Sequence, residues 1–274
     1  MKPRLAILFL ALTALFTLPV LAQDSSGGLA TISYNGITFS YDPALGAVLP
    51  RTYEAVPAAA DQMMDTYWPA HTSFIFIPAH EGETLSSPDF YPQLTIYKTD
   101  DISNYNDDFY TYQLQTLSGL LEGGGAGDFS DYETVPSDDR NVTLPHLPAI
   151  PAGQVLRAQA EYLPMTDGNG IRYLTAYAFD VSPVTDDQII YTYQGATHLF
   201  SGNGTSYYVA LTYPVTTGVL PGEIPSDFDY NAFSDNYYDE MNATIQTINS
   251  ADPNTFSPSI AALDALVQSI QFEG

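Results

Sequence analysis

The chain has 274 residues, with 32 Asp and Glu against 7 Lys and Arg, a formal charge of −25 and no cysteine. So few basic groups cannot neutralise phosphates, which sets aside nucleic acid and anionic membrane surfaces as partners and leaves a cationic partner or Ca2+ open. Without cysteine there are no disulfides, no thiolate metal sites and no lipid on an N-terminal Cys, so the fold rests on its core.

Lys2 and Arg4 open the chain, an apolar run covers residues 5–16, and Pro19-Val20-Leu21-Ala22 precedes Gln23. This order is that of a secretory signal peptide, residues 1–22, and predicts an exported, soluble chain that begins at Gln23. The apolar run is too short for a span, which needs about 20 residues. Residues 23–30 read as a flexible leader, and 31–274 as a single α+β domain with a long loop at 123–153.

Asn35-Gly36 between residues 31–34 and 37–41 is a hairpin signal, because both turn residues tolerate positive φ. A strand near Val48 and a short helix over 58–64 follow, then strands at 71–77 and 93–98. The spacing of Phe109, Tyr112, Leu117, Leu120 and Leu121 predicts a helix over 106–121. Gly123-Gly124-Gly125 stops that helix; it follows a helix and carries no Lys, unlike a phosphate-binding loop. Four β-rich runs then cover 155–163, 171–181, 188–199 and 206–215, joined by short Gly, Asn, Asp and Pro-rich connections. Short connections make consecutive antiparallel strands, hence a meander.

Tyr230, Phe233, Tyr237, Met241, Ile245 and Ile248 recur at helical spacing. Ser257-Pro258 reads as the start of a last helix, whose apolar face is Ile260, Leu263, Leu266, Val267 and Ile270. That face is expected to dock on the aromatic side of the meander, with Asp264 turned to solvent. The fold class is α+β, an antiparallel meander sheet packed with helices.

The element order, with the closing phrase from Leu263-Asp264-Ala265 to Gln271-Phe272, resembles the α/β/α sandwich of the PsbP-like superfamily. That group includes extrinsic subunits of photosystem II and a Ran-binding nuclear import factor. Gly170-Ile171-Arg172-Tyr173-Leu174-Thr175 is also similar to a strand of secreted bacterial proteins of unknown function. Neither resemblance supplies a catalytic residue; the superfamily implies accessory and binding roles.

One polar cluster stands out in the meander. With Gly168-Asn169 as a two-residue turn, Arg157 faces Asp180 and Glu161 faces Ala176. Arg157, Gln159, Glu161, Arg172 and Asp180 then share a face, as a ligand patch or as cross-strand ion pairs. Tyr173, Tyr177 and Phe179 fall on the other, buried face.

His71, His80, His146 and His198 match no metal-ligand spacing, and His80-Glu81 lacks the second His of a zinc protease helix. Asp227-x-Asp229-x-Asn231 opens like a calcium loop, but Ala232 and Tyr238 stand where Gly and Glu are required. Acidic residues at a helix start account for it. No Cys and no nucleophile elbow occur. Asn141, Asn203 and Asn242 begin glycosylation sequons. The reading is an exported, non-enzymatic binding or accessory protein, with no catalytic residue, cofactor or metal assigned. The alternatives are a secreted carboxylate-dependent hydrolase of the glycosidase type and a structural domain of the cell envelope.

Overall fold

The computed structural model describes residues 28–58, 63, 66–77, 92–122, 129–137, 142–197 and 204–273. The signal segment, most of the 58–64 helix, the Gly123–Gly125 run, His80, His198, Asn141 and Asn203 lie outside these residues. Among the described residues the chain forms ten strands and five α-helices. No described helix is long and apolar enough to cross a membrane.

β1 (Ala30–Tyr34) and β2 (Ile37–Tyr41) form the hairpin, with Asn35 and Gly36 at φ 58° and 77°. The strand begins at Ala30, one residue before its predicted start. β3 (Ala47–Tyr53), β4 (His71–Ile77) and β5 (Gln93–Lys98) follow, and the last two occupy the expected ranges.

The predicted 106–121 helix is α2 (Asp108–Glu122), and a short helix that the spacing did not predict, α1 (Thr99–Tyr105), precedes it. Asn106 breaks them in a left-handed conformation, and Asp107 Oδ1 accepts from the amides of Phe109 and Tyr110 at 3.0 and 3.2 Å. This is a side-chain cap on orphan donors of the first turn. The buried stripe of α2 is Tyr110, Gln113 and Leu117, whereas Tyr112 is exposed.

The meander is β6 (Gly153–Met165), β7 (Gly168–Ala178), β8 (Ile190–Thr197) and β9 (Tyr207–Pro214). It continues through β5 into one antiparallel sheet of order β3-β4-β5-β9-β8-β7-β6. α3 (Tyr230–Asp235), α4 (Tyr237–Asn249), α5 (Ile260–Gln268) and β10 (Gln271–Phe272) close the chain, and β10 joins β2. Asp229 Oδ1 caps α3 through the amides of Asn231 and Ala232, each at 3.0 Å, so the calcium-like phrase is a helix start. Ser257 does not cap α5, which begins at Ile260; its amide and carbonyl pair with Thr216.

Both sheet faces are covered. On one, Leu156, Ala158, Leu174, Ala176, Tyr191 and Tyr193 pack with Met241, Ile245 and Ile248 of α4 and Leu263, Leu266 and Val267 of α5. The hairpin lies on this face too, where Phe39 meets Phe74 edge-on at 5.0 Å and Tyr41 meets Phe76 at 5.8 Å. On the other, Tyr97, Ile171, Tyr173, Tyr208 and Ala210 pack with Ile102, Tyr110 and Leu117 of α1 and α2 and with Leu144 and Leu147. The last helix therefore docks on the face opposite Tyr173, which corrects the expected docking. Phe179, expected in the core, lies beyond the end of β7 and is 78% exposed; Tyr173 is buried and Tyr177 half-buried.

The expected register is also corrected. The turn is Thr166-Asp167, and Glu161 pairs with Arg172 rather than Ala176. Gly168 is a strand residue, because a β-carbon there would fall on the carbonyl oxygen of Ala196 in β8. Its glycine serves close approach, not turning. Asp167 accepts from the amide of Phe272 at 3.1 Å and Thr166 donates to Gln268 at 2.9 Å, so the turn is pinned to the end of α5 and to β10.

Candidate ligand-binding site

A bulge decides the fate of the five predicted site residues. Register shifts occur between Ala158 and Glu161, and Gln159 adopts φ 54°. One extra residue reverses the side-chain alternation. Glu161 stays on the α5 face, opposite Arg172, but Arg157 pairs with Thr175 on the α2 face. The predicted patch is thereby split, and Asp180 is exposed beyond β7, opposite neither arginine.

The separated parts are tied to the protein's own groups. Arg157, 2% exposed, donates to the carbonyls of Tyr132, Gln154 and Thr134 at 2.9, 3.0 and 2.6 Å. Gln159 donates through its amide side chain to the carbonyls of Ile248 and Asn249, the last turn of α4, at 2.9 and 3.2 Å. Arg172 donates to the Gln159 carbonyl at 2.6 Å and to Glu161 at 2.5 Å, and its Nε lies 3.6 Å from Asp264. Tyr191 donates its hydroxyl to the same Asp264 oxygen at 2.7 Å. Burial raises the Asp264 pKa, and the Arg172 guanidinium pulls it back. The arrangement clamps β6, α4 and α5 together.

A cavity of about 400 Å³ opens elsewhere, on the α2 face. One wall is α2, with Phe109, Tyr112 and Gln113; the other is residues 143–154 and Tyr177 of β7. Segment 144–147 crosses the buried sheet face without a strand partner, so its peptide groups need other partners. Glutamines supply them. Gln154 accepts from the Leu144 amide at 2.9 Å and donates to its carbonyl at 3.4 Å. Gln113 accepts from the His146 amide at 2.7 Å. Gln194 accepts from the Leu147 amide at 2.9 Å and donates to its carbonyl at 3.1 Å. Tyr173 donates to the Pro145 carbonyl at 2.6 Å.

The same segment delivers His146 to the cavity wall. Its ring packs on Tyr177 at 5.0 Å and is 5% exposed. Neither ring nitrogen has a hydrogen-bond partner among the described residues. Leaving both unmet costs about 1–3 kcal/mol each. Burial pushes its pKa down to about 3, so the ring is neutral at pH 7 and carries one N–H and one bare nitrogen. The described residues lining the cavity include no Asp, Glu, Lys or Arg. Sequence reasoning missed this site because nothing local marks His146; its neighbours come from α2, β6 and β7.

His71 lies in a separate aromatic cluster, stacked on Tyr53 at 4.8 Å and 5.1 Å from Tyr97. Asn242 accepts from the Val135 amide at 2.8 Å and donates to its carbonyl at 3.3 Å, so in the folded chain this sequon asparagine is engaged in packing. Among the described residues no three His, Asp or Glu gather as metal ligands. No protein-family model, no curated protein and no solved structure matches this chain.

Proposed function

We propose that the chain is an exported, non-enzymatic binding or accessory protein, released by cleavage before Gln23, and that the cavity beside His146 is its ligand site. A kinship with the PsbP-like superfamily accords with this role through element order alone. The observation that carries the reading is the distribution of acids. The cavity wall among the described residues holds no carboxylate, whereas Glu161 and Asp264 both flank Arg172, and Asp264 also accepts from Tyr191. Glycosidase chemistry requires two free carboxyl groups facing one substrate.

The test compares turnover with binding on the exported protein. A panel of p-nitrophenyl glycosides should give no release of p-nitrophenol, while small molecules that fit the cavity raise the melting temperature. Turnover that disappears in Glu161→Gln or Asp264→Asn would instead establish the hydrolase. Intact mass showing residues 1–22 retained would overturn the cleavage. A Ca2+ titration of the same sample examines the cationic partner that the acidic composition leaves open.

A further inference from the structure

We infer that the cavity between α2 and residues 143–154 binds an uncharged, mostly aromatic small molecule bearing a hydroxyl group, which hydrogen-bonds the His146 imidazole. The inference rests on the binding reading above and gives that reading a ligand class. At about 400 Å³ the cavity falls in the range of small-molecule sites and has room for a molecule of one or two rings. Phe109, Tyr112, Leu144 and Ile150 offer ring and aliphatic surface for apolar contact.

The polar groups set the specificity. Gln154 is already engaged with Leu144 and Tyr177, and the Gln113 carbonyl with the His146 amide. Among the described residues, the imidazole nitrogens of His146 are the buried side-chain polar atoms of this wall that lack a partner. Both nitrogens are out of solvent contact, so a ligand in the cavity reaches one only when the ring turns about its Cβ–Cγ bond. A hydroxyl both donates and accepts, so it matches either nitrogen of a neutral ring. A carboxylate or an ammonium would leave water for a wall in which no described residue carries a compensating charge.

The test uses the exported chain at pH 7 with three probes, 2-naphthol, naphthalene and 2-naphthoate, followed by calorimetry. 2-Naphthol should bind one to one, about tenfold or more tighter than naphthalene, the difference one good hydrogen bond makes. 2-Naphthoate should bind more weakly than both. His146→Phe keeps the ring and should erase the preference for the hydroxyl. Ala152→Phe fills the cavity and should abolish binding of all three; Ile150→Trp serves the same end if that variant does not fold. Naphthol binding unchanged in both His146→Phe and the filled cavity would overturn the site. Tighter binding of 2-naphthoate would overturn the ligand class and leave a binding protein. Absence of binding by all three would overturn the inference, and glycoside turnover would overturn the reading beneath it.

Discussion

A glutamine side chain ends in the same donor and acceptor pair as a peptide group, and Gln194 uses both on Leu147, as a neighbouring strand would. It also accepts from the Tyr208 hydroxyl at 2.7 Å. Gln194→Leu keeps the volume but strips an amide, a carbonyl and a hydroxyl, all buried, of their partner. The expected loss is about 2–4 kcal/mol in a urea melt, since each unmet group costs about 1–3 kcal/mol with some recovery by relaxation. A loss under about 0.5 kcal/mol would mean that segment 144–147 is not held as described. Close approach makes a second residue-scale claim. The Tyr193 ring lies where β-carbons on Gly170 and Gly195 would stand, in two adjacent strands. Gly170→Ala must displace a buried ring and should cost about 1–3 kcal/mol, the range for overpacking. None of this was legible in the sequence. Glutamines inside a β-rich run look like solvent-facing positions, and a glycine near a turn looks like the turn. What decides both is which backbone lies across from them, and that is tertiary.

At the scale of elements, the sequence was legible wherever the pattern is local. Asn35-Gly36 made its hairpin, the four meander strands appeared close to their expected ranges, and Leu263, Leu266 and Val267 are all buried. The reading failed where one residue changes parity. The bulge at Gln159 puts Arg157 and Glu161 on opposite faces, and no composition signal announces a non-glycine residue at positive φ. It failed again at Asp264, which helical spacing assigns to the outer side of α5. The acid sits at the sheet because Arg172 and Tyr191 offer it partners there. Two substitutions on α5 separate these roles. Leu266→Ala should cost about 2–5 kcal/mol as a core truncation. Asp264→Ala should cost about 1–3 kcal/mol, because the buried Tyr191 hydroxyl loses its acceptor. Denaturant melts read both; an Asp264→Ala loss below about 0.5 kcal/mol would return that residue to a solvent role.

At the scale of the whole molecule, two layers pressed on one sheet bury a histidine in a chain that is otherwise overwhelmingly acidic, and pH pulls on these in opposite directions. The charge of −25 makes the folded chain repel itself, so partial protonation of carboxylates on mild acidification relieves strain, as added salt does. His146 works the other way. Its folded pKa is held down near 3 by burial, against 6.5 when free in water. Between those values the unfolded chain binds a proton that the folded chain refuses, so stability is fully present above about pH 6.5 and falls as pH drops toward 3. Burial lowers the His71 pKa as well, with the same sign. Asp264, raised by burial, has the opposite sign, gaining stability as pH falls through the carboxylate range. The histidine is isolated by difference. Between pH 6 and 4, the stability of the natural chain should fall relative to His146→Phe by about 1.4 kcal/mol per pH unit, the value of one proton. Urea melts of both proteins at fixed ionic strength measure this. Parallel pH profiles would show that His146 is hydrated in solution, and the unmet imidazole on which the ligand site depends would then already have its partner in water.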